Sequence, residues 1–423
     1  MRILKILLTT LVVIVIWAVL VVTGAREGWW RPMPAPRGDV AAFLAAEKAV
    51  IARESKGNVA LTLLADGRVA GEYFASRGKS VDRDTLFQVA SMSKWFTAWG
   101  VMTLVEKGRI DLDAPVSRYL KRWKLPPSEF NNDEVTVRRL LSHTAGLTDD
   151  LGYRGFPPGQ APQTIAASLT RAADAMPGRS GVVRVGAKPG SGWRYSGGGF
   201  LMLQLLIEDV TGETFNDYMR HAVLLPLGMR DSTFVSPDPA RLAESFDDSG
   251  KPAIHYTFTA LSAASLYTST ADLTRFLQAQ LKGPQGEPAG RGVLKPATLE
   301  LMRHPEARLA GLPIWGLGTI LYMKTDGGFV VGHDGNNYPA INTTARLDPA
   351  SGDGIVMLDT GNGSLASRIG GDWVYWHTGR VDFATLASEA KTTLTILAIG
   401  ALLIVLGAIV IAWLGRRRDA AAA

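Results

Sequence analysis

Residues 392–415 form a run of 24 without a charge, and Arg416, Arg417 and Arg418 close it. A helix of that length is long enough to cross the hydrocarbon core of a bilayer, about 30 Å thick. The three arginines then place its far end in the cytoplasm, because positive charge stays on that side. At the other end, Arg2 and Lys5 precede 17 uncharged residues, 6–22. That run is short for a span. It fits an uncleaved anchor or a cleavable signal peptide ending in Thr23-Gly24-Ala25. Its length favours the anchor, and in either case the chain that follows is exported. Expected boundaries are an N-terminal segment 1–25, a linker 26–38, a C-terminal span 391–415 and a cytoplasmic tail 416–423.

These ends also account for most of the charge. The formal net charge is +6, of which residues 6–415 carry only +2. The excess reports topology rather than a basic groove, so nucleic acid is not an expected partner. The absence of cysteine excludes disulfides, thiolate catalysis and Cys-ligated metal centres. With 423 residues and ordinary composition, the chain is globular and long enough for two or three structural units.

Between the ends the pattern changes twice. Residues 29–38 are rich in Pro, Trp and Arg and read as a linker; 40–51 have helical spacing. Strand-like runs 59–64 and 68–74 flank Asp66-Gly67, a strong hairpin signal. A run at 85–90 leads into a helix expected from about Ser91 to Lys107, with Gly108 as its stop. From 99 to 281 the pattern reads as mostly helical with polar loops. Strand signals return at 317–323, 329–333, 341–347 and 354–358, and 364–376 reads as a closing helix. Strands at both ends imply one sheet built from distant segments, with a helical region inserted: an α/β layer plus an all-α layer.

Three short stretches carry chemistry. Ser91-Met92-Ser93-Lys94 puts a hydroxyl and an amine one helical turn apart. Lysine becomes a usable base if burial lowers its pKa, so the pair suits acyl transfer without a catalytic histidine. Tyr195-Ser196-Gly197 lies on a loop before a helix, where a phenol can relay protons if a nearby cation lowers its pKa. His333-Asp334-Gly335-Asn336 ends a strand, where glycine lets another backbone approach and an edge N–H can act as an oxyanion donor. The remaining histidines are not paired at metal-ligand spacing, and there is no Gly-x-Ser-x-Gly elbow.

In this order the three motifs resemble the serine β-lactamase and penicillin-binding protein superfamily, specifically its class C branch with its esterase and D-peptidase relatives. The segments Leu140-Leu141-Ser142-His143-Thr144-Ala145-Gly146-Leu147, Leu225-Pro226-Leu227-Gly228-Met229 and Leu266-Tyr267-Thr268-Ser269-Thr270-Ala271-Asp272-Leu273 are similar to family segments too. The resemblance implies a β-lactamase-like fold over 39–385: an antiparallel sheet from about 39–90 and 310–376, flanked by helices, with the helical region at about 99–282.

It also implies roles. Ser91 is the acylated nucleophile, Lys94 takes its proton, and Tyr195 protonates the leaving group and activates water. His333 orients a substrate carboxylate or tunes Tyr195. The backbone N–H groups of Ser91 and Asn336 form the oxyanion hole, with Gly197 and Gly335 against the substrate. His143 is expected to make structural hydrogen bonds in its loop. No cofactor or metal is implied, and the partners are a small-molecule or peptide substrate and the membrane.

Two departures narrow the reading. Gly197 stands where the family usually has asparagine, and His333 where many members have lysine. A glycine offers no amide to a substrate, and neutral imidazole binds a carboxylate more weakly than ammonium does. The expectation is therefore a serine hydrolase of peptidase or esterase type, anchored in the bacterial inner membrane with its catalytic domain outside the cytoplasm. A true β-lactamase and a catalytically silent binding protein on the same fold are the alternatives.

Overall fold

The computed structural model describes residues 2–149 and 152–421, so the end of the expected tail and two residues of the 149–190 loop lie outside the described residues. The chain divides into a unit of residues 38–370 and a unit formed by 1–37 with 371–423.

In the larger unit, eight strands form an antiparallel sheet. They are β1 (Val59–Ala65), β2 (Arg68–Ala75), β3 (Ala307–Leu309), β4 (Leu312–Trp315), β5 (Ile320–Thr325), β6 (Gly328–Asn337), β7 (Ile341–Leu347) and β8 (Gly354–Thr360). Their spatial order is β2-β1-β8-β7-β6-β5-β4-β3. The early hairpin and the late strands therefore join, with Val59 opposite Asp359. The β1–β2 turn needs positive φ at both central residues, and Asp66 (φ 50°) and Gly67 (φ 71°) supply it. All of β7 and β8 is buried, as expected for strands covered on both faces.

The helices that matter for the site are α1 (Arg2–Glu27), α2 (Val40–Glu54), α3 (Ser93–Glu106), α4 (Val137–Leu141), α5 (Gly197–Thr211), α6 (Thr270–Ala279), α7 (Leu365–Thr378) and α8 (Ala390–Ala421). Helix α3 is buried from Ser93 through Leu104, which explains why its sequence has no polar stripe. Phe276 of α6 closes over it, with ring centroids 4.9 Å from Trp95, 4.0 Å from Phe96 and 5.0 Å from Trp99.

Several local expectations are corrected. The run 85–90 is not a strand of the main sheet; Phe87–Gln88 pairs separately with Tyr267–Thr268. A 3-10 turn, Ala90–Met92, precedes α3, so Ser91 lies before the helix rather than in it. The stretch between α3 and α5 is mainly loop, with α4 and Ile165–Thr170 as its α-helices among the described residues. Its many Pro and Gly residues interrupt the apolar spacing that reads as helix. Strand β3 lies outside the expected sheet segments, and β4 falls inside the 310–376 range but carries no strand signal in the sequence.

In the smaller unit, α1 and α8 run side by side. A Cβ on Gly400 would lie 2.1 Å from Trp17 Nε1, so glycine is what admits the indole. Arg31 pairs with Asp372 at 3.1 Å and with Glu389 at 3.1 Å. Leu4–Glu27 and Ala390–Arg417 are long and apolar enough to cross a membrane, and their apolar side chains face outward.

Phe276→Ala removes the ring that α3 packs on, and a buried Phe→Ala change costs about 3–5 kcal/mol. The expected outcome in fluorescence-monitored thermal unfolding is a clear drop in midpoint, whereas Leu301→Ala, at an exposed site, leaves it nearly unchanged.

Candidate active site

Four hydrogen bonds hold the turn that carries Ser91. Val89 N–H donates to Leu266 O at 2.9 Å. The Thr343 hydroxyl on β7 donates to Val89 O at 3.0 Å. Ser93 Oγ donates to Ala90 O at 2.6 Å and accepts from Leu266 N–H at 2.9 Å. Ala90 adopts φ 48°, a conformation costly for a residue with a Cβ, typically about 1–3 kcal/mol. Strand β6 passes close by: a Cβ on Gly335 would lie 2.1 Å from Val89 O. The glycine therefore brings the strand edge against the serine's turn.

Lys94, on the first turn of α3, is buried with 2% exposure. Its Nζ donates to Ala263 O at 2.7 Å and lies 3.1 Å from Ser91 Oγ. It also sits 4.9 Å from the Tyr195 ring centroid and 5.7 Å from that of Phe200. Burial pushes Lys94 down to about 7, against the opposing pull of the Asp149 carboxylate. A lysine so placed is partly neutral at neutral pH and has a lone pair for the serine proton.

Tyr195 turns its ring to Lys94, and its hydroxyl lies near Ser91. The phenol is not acidified, so the condition set for a proton relay, a cation that lowers its pKa, is not met here. Burial raises its pKa, which the nearby Ser91 hydroxyl only partly opposes, because the neighbouring lysine carries at most part of its charge. Tyr195 is thus a neutral donor.

His333 is buried at 1% exposure, and its Nδ1 lies 2.6 Å from Asp334 O. A carbonyl only accepts, so Nδ1 carries the proton and Nε2 presents a lone pair. Burial, with Lys94 nearby, pushes His333 down to about 3, which keeps it neutral. Asp334 takes the other side of β6, where it accepts from Thr344 Oγ1 at 2.5 Å and pairs with buried Arg346 at 3.0 Å. It is a structural anchor outside the cleft. Asn336 follows on the same strand, and its side-chain amide donates to Gly363 O. His143 packs its ring 4.4 Å from Tyr195 and accepts from Ser196 N–H at 3.1 Å through Nδ1, in line with a structural role. Trp315 lies between the two histidines, 4.7 Å from His143 and 5.4 Å from His333.

The structure thus brings Ser91, Lys94 and Tyr195 together, the amine bonded to the serine and set over the tyrosine ring, with β6 alongside. The same order of parts recurs in known proteins: the Beta-lactamase family model matches residues 44–380. The chain belongs to the Beta-lactamase family. It is 33% identical over 195 residues to esterase EstB of Burkholderia gladioli, covering 41% of this chain and 45% of that one. It is 28% identical to penicillin-binding protein 4 of Amycolatopsis lactamdurans, covering 73% and 81% respectively. Its fold is like that of an octameric penicillin-binding protein homologue from Pyrococcus abyssi, with TM-score 0.62, 22% identity and coverage of 80% and 77%. The matched stretch thus spans less than half of the esterase. Family members are serine hydrolases of esterase, peptidase and amidase type, and this chain shares their β-lactamase-like fold.

Sequence reasoning missed Asp149. It is 7% exposed, and it accepts from Gly198 N–H at the start of α5. Nothing local marks it among the other aspartates; only the fold buries it.

Since Lys94 must be neutral to take a proton, labelling of Ser91 by a fluorophosphonate is expected to accelerate as pH rises through about 7. Rates measured by quenched intact-mass spectrometry check this; a profile flat from pH 5 to 9, the interval in which an amine of this pKa titrates, contradicts it.

Proposed function

We propose that the protein is a membrane-anchored serine hydrolase that forms an acyl-enzyme on an ester or amide. The observation that supports this most is the buried Lys94 amine 3.1 Å from Ser91 Oγ, with the Tyr195 ring 4.9 Å from the same amine. Neutral Lys94 takes the Ser91 proton as Oγ bonds to the substrate carbonyl carbon. The Ser91 and Asn336 backbone N–H groups receive the oxyanion. Collapse of the tetrahedral adduct expels the alcohol or amine, which is protonated by Tyr195, itself resupplied from Lys94. A water then enters on the acyl carbon, gives a proton back through the same pair, and releases the acid.

The neutral His333 supports an uncharged group next to the scissile bond rather than a carboxylate. Together with Gly197, this favours esters and neutral amides over β-lactams. The two apolar helices and the arginines after the second support an anchor with the hydrolase unit outside the cytoplasm.

Turnover of a panel of p-nitrophenyl esters, D-amino-acid amides and nitrocefin tests the reading. Esters or amides are expected to be hydrolysed at least about a hundredfold faster than nitrocefin, and Ser91→Ala to abolish both turnover and fluorophosphonate labelling. Retained labelling of Ser91→Ala would remove Ser91 from the reaction, and preferential nitrocefin turnover would make the protein a β-lactamase.

A further inference from the structure

Gly197 begins α5 two residues after Tyr195, and no side chain fits there. A Cβ on it would lie 2.9 Å from Tyr153 Cε2 and 3.4 Å from Tyr153 Cδ2. The next residue is as confined: a Cβ on Gly198 would lie 2.4 Å from Val183 Cγ2 and 2.7 Å from Asp149 Oδ2. The segment that follows Tyr195 therefore cannot orient itself, or the lysine opposite, through side chains of its own at these positions. What holds it comes from the preceding loop. Asp149 Oδ2 accepts from Gly198 N–H, and Ser196 Oγ accepts from Gly199 N–H at 2.8 Å. Asp149 Oδ1 is buried with no hydrogen-bond partner among the described residues. This leaves one buried carboxylate oxygen uncommitted.

We propose that Asp149 is the positioning residue of this site: by accepting from Gly198 N–H it fixes the segment that presents Tyr195, and its buried carboxylate biases the charge of Lys94. The inference rests on the reaction proposed above and adds a residue to it. Asp149 acts through Tyr195 and Lys94 and does not touch the acyl group.

Its charge is felt by the neighbouring groups. It holds Lys94 up against burial, and it helps to keep both Tyr195 and Tyr153 protonated. Burial raises the Asp149 carboxyl itself, and the nearby Ser196 hydroxyl and the Gly198 N–H oppose that rise. Two charged or polarisable functions are thus balanced by one side chain. A carboxylate that only tied down a loop would leave the lysine's titration alone.

Two variants separate these roles. Asp149→Asn keeps an oxygen for Gly198 N–H and removes the charge. The rise of the fluorophosphonate-labelling rate with pH is expected to move to lower pH, because an ionised Asp149 favours the charged form of Lys94. Asp149→Ala removes the tether too, and is expected to cut the labelling rate at the pH optimum a further roughly tenfold to hundredfold, as small misplacements of reacting groups do. If Ser91 in the wild type is not labelled at any pH, the proposed reaction fails. Asp149 is then read from the titration of Lys94 followed by 13Cε NMR of the full-length protein in both forms. A pH midpoint unmoved in Asp149→Asn, by rate or by NMR, overturns the inference. So does an Asp149→Ala protein that loses thermal stability but keeps the labelling rate of Asp149→Asn.

Discussion

The Lys94 amine gives up water for one carbonyl oxygen, one hydroxyl and the faces of two aromatic rings. An ammonium so placed is expensive, and among the described residues no carboxylate forms an ion pair with it; Asp149 acts on it through space. The cheaper form is the neutral amine, and that form has the lone pair a serine needs. The surroundings follow from this requirement. Buried α3 supplies a site without solvent, Phe276 seals it with aromatic contacts, and Ala263 turns a carbonyl inward to hold Nζ.

The second requirement is that a turn, and not the helix, carries the serine. Ser91 precedes α3 in a tight turn whose first residue, Ala90, stands in a left-handed conformation. Such a conformation persists only where neighbours over-determine it. Here the neighbours come from β7 through Thr343, from β6 through Gly335 and from the segment at Leu266. These segments are more than 170 residues from Ser91 in sequence. The sheet built from both ends of the larger unit is therefore what permits the strained turn, and the turn aims the hydroxyl at the lysine. Gly335 shows the link directly, since even a methyl group there would meet the carbonyl of Val89.

How much of this is legible in the sequence depends on how local the physics is. The Asp66-Gly67 hairpin is legible because two consecutive positive φ angles demand those residue types. The pairing of Ser91 with Lys94 is legible because a spacing of three survives whether the serine sits in the helix or in the turn before it. The joining of early and late strands follows from the alternation of both. Strands β3 and β4 are not legible: at three and four residues, with Gly311 and Pro313 among them, they carry too little pattern to separate from loop. The left-handed Ala90, the neutral tyrosine and Asp149 are equally silent, since each depends on what the folded chain packs around it. Tyr195 shows this most plainly. Burial lowers the lysine and raises the phenol together, so the phenol stays protonated while the amine is partly neutral.

The most direct measurement is the titration of Lys94 itself in the wild-type protein, followed by 13Cε NMR of selectively labelled lysine and assigned with Lys94→Arg. The account predicts a midpoint near 7, set apart from the solvated lysines, which titrate at about 10.4. A Lys94 that titrates with the surface lysines would contradict it, because the amine would then be charged at neutral pH and unable to take the proton from Ser91.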